Sequence, residues 1–295
     1  MGAKDITEKI LESYNDVFAD IVNVLLFNGK QVIAPDELID QAPRAAYKAD
    51  GKIREIERDV AKRWMKNNIR IACVGLENQT VPDPDMPLRV FGYDGAEYRA
   101  QLNNENPGKT RYPVVTLVLY FGTDKHWDQP LTLHEAIEIP AEFKPYVSDI
   151  KVNLFEIGYL SRDQVNLFKS DFRAVADYFV QIQETGTYVG STQELKHIQE
   201  VLQLLSVMNK DIRFEEVFND INEKGELRNM CDVLDRIENR GISKGISRGM
   251  AEGAKNKAKA TAIRLHARGM SNADIADVLE EDISAVQSWV EPAKA

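Results

Sequence analysis

Apolar residues near the N-terminal end of the chain recur at spacings of three and four, the period of one helix face. The repeat runs from residue 6 to residue 27 and includes Phe18 and Ile21. Asn28-Gly29 follows directly, and both residue types commonly end helices. The pattern predicts a helix over Ile6–Phe27.

Runs rich in β-branched residues follow. Ile69–Glu77 has the length and composition of a strand, and Val114–Phe121 has the unbroken apolar character of a central strand covered on both faces. Lys151–Ile157 is a further strand candidate, and Gly95–Leu102 is a short helix candidate between the first two strands. These elements predict an α/β core over residues 1–160.

After Ser161 the periodicity is helical only. The helix candidates are residues 164–185, 193–208, 213–222 and 227–239. We therefore expect a helical extension over residues 161–240.

Glycine recurs at every fourth position from Gly241 to Gly253, with Ile242, Ile246 and Met250 beside it. On a helix both series would form stripes, and small residues four apart allow two helices to approach closely. Glycine also disfavours an isolated helix, which favours a flexible linker. Residues 241–258 are therefore either a linker or a self-association segment.

The last segment, residues 259–295, contains three short helix candidates, at 259–268, 272–279 and 283–290. Ser271 and Asp282 are helix N-cap residue types at the two breaks. The arrangement resembles a helix-turn-helix, and its alternative is a three-helix docking or oligomerisation module. The expected core residues are Ile275, Val278, Leu279, Val286 and Trp289, and the residues expected to face a DNA groove are Ser284, Gln287 and Ser288.

The net charge of -10 disfavours a nucleic-acid partner, because phosphate binding depends on clustered Lys and Arg. However, Gly241–Met270 contains seven Lys and Arg residues and one Glu. Within this segment Arg264 and Arg268 are the residues expected to contact the DNA backbone. The longest apolar run is too short to cross a bilayer, and the N-terminus lacks the apolar core of a signal peptide. We expect a cytoplasmic protein with no membrane partner.

Carboxylates must carry any metal chemistry, because the two Cys and four His lack the spacing of a zinc site. Glu77 and Gln79 would leave one face of a strand together. If Val60–Met65 pairs with Ile69–Glu77 as a hairpin, Asp59 lies close to Glu77. However, Ile53–Lys66 also fits a helix, and the local sequence does not decide between the two.

Several motifs together resemble the recombination-promoting nuclease and "putative transposase" group of the PD-(D/E)XK nuclease superfamily. The resemblance covers most of the chain. It rests on Asn15-Asp16-Val17-Phe18, Arg58-Asp59-Val60, Glu77-Asn78-Gln79-Thr80, Met86-Pro87-Leu88-Arg89, Tyr93-Asp94-Gly95 and the Gly-Ile-rich segment before the tail.

The resemblance implies a restriction-endonuclease-like α/β core, with a mixed sheet flanked by helices, followed by an all-α region. It implies Asp59 and Glu77 as metal ligands, Gln79 where the superfamily usually has lysine, and Asp16 as a supporting acid. Arg89 is a candidate contact for phosphate or for an active-site carboxylate, because its planar fork suits both.

The expected function is that of a DNA endonuclease that uses Mg2+, with Mn2+ as an alternative, and promotes recombination or acts as a transposase. DNA is the expected partner, and a homodimer is a further candidate. Gln79 cannot act as a base, which favours the alternative of a weak or inactive DNA-binding or regulatory protein on the same scaffold. A ribonuclease-H-like transposase is disfavoured, because the candidate acids lie between the first helix and an early strand.

Overall fold

The computed structural model describes residues 11–41, 44–49, 52–57, 59–66, 69–102, 111–209, 211–219 and 227–291. The chain forms two compact units, Met1–Leu234 and Asp235–Ala295. This division is coarser than the four segments expected from the sequence, and the finer boundaries stay a prediction.

In the described chain, all strands lie before residue 157, together with three of the helices, and only helical elements follow. The strands are β1 (Leu38–Asp40), β2 (Arg44–Ala49), β3 (Lys52–Glu57), β4 (Val60–Lys66), β5 (Ile69–Gln79), β6 (Val114–Tyr120) and β7 (Asn153–Glu156). The helices are α1 (Asn15–Phe27), α2 (Met86–Leu102), α3 (Leu133–Ala136), α4 (Arg162–Leu167), α5 (Phe172–Thr185), α6 (Ile198–Asn209), α7 (Ile212–Asn219), α8 (Met230–His266), α9 (Asn272–Leu279) and α10 (Ile283–Val290). Short 3-10 turns lie at Pro35–Glu37, Lys144–Tyr146 and Ile157–Tyr159.

A mixed five-stranded sheet of order β1-β4-β5-β6-β7 forms the centre of the larger unit. β1, β4 and β5 pair antiparallel, whereas β5, β6 and β7 run parallel. β2 and β3 form a separate hairpin. The expected class, a mixed α/β fold with a helical C-terminal region, is confirmed.

The segment before β5 is a strand rather than a helix. β4 pairs with β5 from Val60 opposite Leu76 onward, so the hairpin interpretation of the sequence is confirmed. Local periodicity could not decide this, because the pairing with β5 stabilises the extended form. The expected turn at residues 67–68 lies outside the described residues.

Helices cover both faces of the sheet. On one face Met86 and Val90 of α2 pack against Val118 of β6. On the other face Phe121 contacts the α5 rings of Phe172 and Phe179 at centroid distances of 6.4 and 5.1 Å. β6 is therefore the central, doubly covered strand that its apolar run predicts.

The helix expected over Ile6–Phe27 is interrupted. Leu11 and Glu12 are helical, Tyr14 has an extended backbone, and α1 begins at Asn15. The expected start at residues 6–10 lies outside the described residues. The helix ends as predicted, with Asn28 and Gly29 at φ angles of 52° and 80°.

Residues 241–258 lie within α8, so the flexible-linker interpretation is wrong. The helix candidates at 227–239 and 259–268 accordingly fall along one helix. The self-association interpretation of the glycine segment stays a prediction.

The tail packs three helical segments around a small core. Ala262, Ile275, Ala276 and Val286 are buried together, and Leu279 and Trp289 pack against them. α9 and α10 have the bounds expected from the sequence, and Ser271 accepts a bond from the Asp274 N–H. Val278 is 61% exposed, so its expected place in this core is wrong.

Replacing Ile275, which is fully buried, tests this core. Ile275→Ala should lower the local stability of the tail by about 2–4 kcal/mol, because it removes buried methyl groups and leaves a cavity. Val278→Ala is the matched control and should stay within about 0.5 kcal/mol of the wild type. Amide hydrogen exchange across α9 measures both effects, and equal acceleration in the two variants would contradict this packing.

Candidate active site

Two acidic residues lie at the same end of the β4–β5 pair. Glu77 lies near the end of β5 and is 2% exposed, and Asp59 directly precedes β4. The β4–β5 ladder begins with Val60 opposite Leu76, so Asp59 lies directly before the ladder, beside the end of β5. The Asp59 carboxylate accepts a hydrogen bond from the Asn78 backbone N–H at 2.6 Å. Asp59 is therefore held next to Asn78, the residue that follows Glu77.

Arg89 of α2 neutralises the buried acid. One guanidinium nitrogen, Nη2, donates to Glu77 Oε1, and Nη1 donates to Asp83 Oδ2 at 2.8 Å. Burial alone would lower the pKa of Arg89, but the Glu77 charge and the hydrogen bonds from Arg89 to Asp83 and Tyr93 outweigh it, so the pKa is raised. Arg89 therefore stays charged.

Tyr93 lies one helical turn after Arg89 and belongs to the same cluster. Its hydroxyl oxygen accepts from Arg89 Nε and Nη2 at 3.4 and 3.3 Å. Burial, and then the negative charge of Glu77, raise the pKa of Tyr93 to about 12, and Asp59 adds to the shift. The Tyr93 hydroxyl is therefore neutral at physiological pH and experiences the charges of both acids.

Gln79 is the next residue of β5 on the face that carries Glu77. Its side chain lies on the same strand face as Glu77, and its Nε2 donates to Glu77 Oε1 at 3.2 Å. The expected alternation is therefore confirmed. An amide in this place can donate and accept hydrogen bonds but cannot take up a proton at neutral pH.

Asn78 points to the opposite face of β5. There its Nδ2 donates to Glu12 Oε2 at 2.7 Å, and Glu12 is fully buried. Sequence reasoning missed Glu12, because the contact joins residues 66 positions apart. It also gave no role to Tyr93 or Asp83, although the spacing of four residues from Arg89 to Tyr93 is a signal for a shared helix side.

Asp16 pairs with another helix. Its carboxylate lies 3.5 Å from His197 Nε2 and 3.8 Å from Lys196 Nζ, at the start of α6. The next acid on α1, Asp20, accepts from the backbone N–H groups of Lys169 and Ser170 at 2.8 and 2.7 Å. Both acids of α1 therefore contact the helical region that follows the sheet.

The candidate metal centre contains two carboxylates. Within the described part of the chain, no group of three or more His, Cys, Asp or Glu side chains could hold a metal ion. Asp59 and Glu77 are the two carboxylates of this candidate centre.

The tail residues expected to contact DNA lie on its surface. Arg264 and Arg268 are exposed near the end of α8, and Ser284, Gln287 and Ser288 are exposed on α10. Arg264 Nε donates to the Ala260 carbonyl at 3.1 Å. These side chains are accessible to a ligand of the tail.

The fold and the acidic sheet edge define a mixed α/β protein with a two-carboxylate candidate centre. The chain belongs to the family described as "Putative transposase, YhgA-like", whose model matches residues 66–213, about half of the sequence. The resemblance carried by the sequence motifs is thereby confirmed. The matched range includes Glu77, Gln79 and Arg89, whereas Asp59 precedes it.

Neither the curated proteins nor the solved structures gave a match to this chain. In the parts of the chain that the structure describes, every helix is too short or too polar to span a membrane.

Arg89→Met tests the buried ion pair. It should lower the free energy of unfolding by about 1–3 kcal/mol at neutral pH, because it removes the cation from a buried carboxylate. The double variant Glu77→Gln/Arg89→Met should regain most of the loss, and Arg228→Met, at an exposed arginine, should change little. Urea denaturation measures all three, and additive losses in the double variant would contradict the pairing.

Proposed function

We propose that the chain is a metal-dependent DNA endonuclease of the PD-(D/E)XK kind. The observation that carries this proposal is that the Asp59 carboxylate binds the backbone of Asn78 next to Glu77, while Gln79 lies on the same strand face as Glu77. The order of elements supports it as well, since three antiparallel strands are followed by α2 and the parallel strand β6. A family described as transposases points to DNA as the substrate.

The residues present fit a magnesium ion. Mg2+ is usually held by one or two carboxylates together with waters and substrate phosphates, so Asp59 and Glu77 suffice as protein ligands. Mn2+ accepts the same oxygen ligands. When bound, such an ion lowers the pKa of a coordinated water and offsets charge on the phosphate oxygens.

The remaining side chains hold and orient the reacting groups. Gln79 can hydrogen-bond a water molecule without taking its proton, so we expect slower cleavage than with a lysine in this place. Arg89 can contact a phosphate with the fork that binds Glu77 and Asp83 in the free protein. The Asn78 N–H fixes the direction of the Asp59 carboxylate.

The exposed tail supplies DNA attachment. Arg264 and Arg268 suit contacts to the DNA backbone, which position a protein without reading sequence. Ser284, Gln287 and Ser288 are weaker base readers than arginine, so we expect little sequence preference.

Cleavage of supercoiled plasmid with Mg2+ or Mn2+ tests the proposal. Asp59→Asn and Glu77→Gln should each slow nicking at least about 100-fold, because each removes a metal-binding charge. Glu142→Gln, at an exposed acid, is the matched control and should retain activity. Wild-type rates in both site variants, at matched folding, would overturn the assignment.

The second candidate is a non-enzymatic DNA-binding protein, which Gln79 in the usual lysine position favours. Gln79→Lys separates the two candidates. An active wild type should become about tenfold faster, because the ammonium adds positive charge near the reacting phosphate. An inactive wild type that binds DNA in a salt-sensitive way, through residues after Arg240, would support the second candidate instead.

A further inference from the structure

α2 is apolar on two opposite sides. Its inner side places Met86 and Val90 in the core beneath the helix. Its outer side carries a row that we name the outer stripe, spaced alternately three and four residues apart. The outer stripe consists of Leu88, Phe91, Gly95, Tyr98 and Leu102.

The outer stripe faces solvent. Leu88, Phe91, Tyr98 and Leu102 are 43, 51, 47 and 67% exposed. Arg99 is the charged residue among the exposed positions of α2. A helix at a protein surface normally turns polar residues outward, and one that is apolar on all sides is normally covered.

Gly95 lies in the middle of the outer stripe. A Cβ atom built at this position would meet nothing within 4 Å in the described structure. Glycine destabilises a helix interior, and packing among the described residues gives no reason for it. A glycine on a helix surface does, however, allow the backbone of a second helix to approach closely.

We propose that the outer stripe binds the outer stripe of a second copy of this chain, as an antiparallel helix pair crossing at Gly95. Leu88 and Leu102 lie seven residues before and after Gly95, and Phe91 and Tyr98 lie four before and three after. A two-fold axis at Gly95 therefore sets Leu88 against the partner's Leu102, and Phe91 against the partner's Arg99, next to the partner's Tyr98. Such a self-complementary patch is what a two-fold dimer requires.

The charged residues of α2 are compatible with a second copy of the chain as the binding partner. Asp94 accepts a bond from Thr116 at 2.6 Å, and Glu97 one from Tyr112 at 2.8 Å, so both acids are engaged on the inner side. Arg99 lies at the level of the partner's Phe91, whose ring face attracts a guanidinium. A surface with one arginine among apolar side chains is better suited to bind another protein surface than to bind the phosphates of a nucleic acid.

The outer stripe and the candidate active site lie on different sides of α2. Arg89 and Tyr93 turn toward Glu77, whereas Leu88, Phe91 and Leu102 are exposed to solvent. Tyr98 is half-exposed, and its hydroxyl accepts a hydrogen bond from the Val114 N–H of β6 at 3.1 Å. The dimer therefore neither needs nor blocks the acidic centre, and it stands independently of nuclease activity.

Sedimentation velocity of the full chain, without metal or DNA, tests the dimer. A single helix pair buries less surface than a standard interface, so we expect a dissociation constant in the micromolar range. Phe91→Lys should weaken association at least tenfold, because it sets a second cation against the partner's Arg99. Tyr146→Lys, at a side chain that is 85% exposed elsewhere, should leave association unchanged. A monomeric wild type, or a dimer insensitive to Phe91→Lys, would overturn the proposal.

Two further variants test the geometry. Gly95→Gln should raise the melting temperature of the monomer, because glutamine is the better helix former, yet should weaken the dimer. Phe91→Lys/Arg99→Glu should restore association, because the new charges face each other across the two-fold axis. A dimer indifferent to Gly95→Gln, or no restoration in the double variant, would contradict the antiparallel crossing.

Discussion

A carboxylate buried at the end of a strand must have a cation beside it, and the Glu77–Arg89 pair meets this requirement. Removing an ionised carboxylate from water is unfavourable by several kcal/mol unless a charge and hydrogen bonds compensate. The ion pair connects α2 to β5. Burial and the charge of Glu77 raise the pKa of Tyr93, so its hydroxyl stays protonated. In the proposed function, Arg89 is the cation beside Glu77 in the free protein, and a bound metal ion would take its place.

α2 consequently connects three properties of the protein. Its inner residues complete the core over β6, Arg89 controls the charge of the candidate centre, and the outer stripe offers a surface for a second copy. Because these roles use different sides of one helix, a substitution on the outer stripe can change assembly while leaving the acidic centre intact. The amphipathic pattern of a surface helix would not produce this distribution.

Elements with strong local signals could be predicted from the sequence. The apolar run of β6 and the short helices α9 and α10 are determined by residues close together in the sequence, and their expected positions agree with the structure. Features set by distant contacts could not be predicted. The strand after Asp59 is decided by pairing with β5, and the partner of Asp16 is His197, far along the chain. Glycine content suggested a linker at 241–258, but the helical backbone continues through it.

Crystals soaked in Mn2+ provide the most direct test of Glu77 as an exchangeable cation site, because anomalous scattering locates the ion without an activity assay. We expect a peak bonded to both the Asp59 and Glu77 carboxylates, with the Arg89 guanidinium moved off Glu77. Saturating Mn2+ that leaves Arg89 on Glu77, with no peak at the sheet edge, would contradict this expectation.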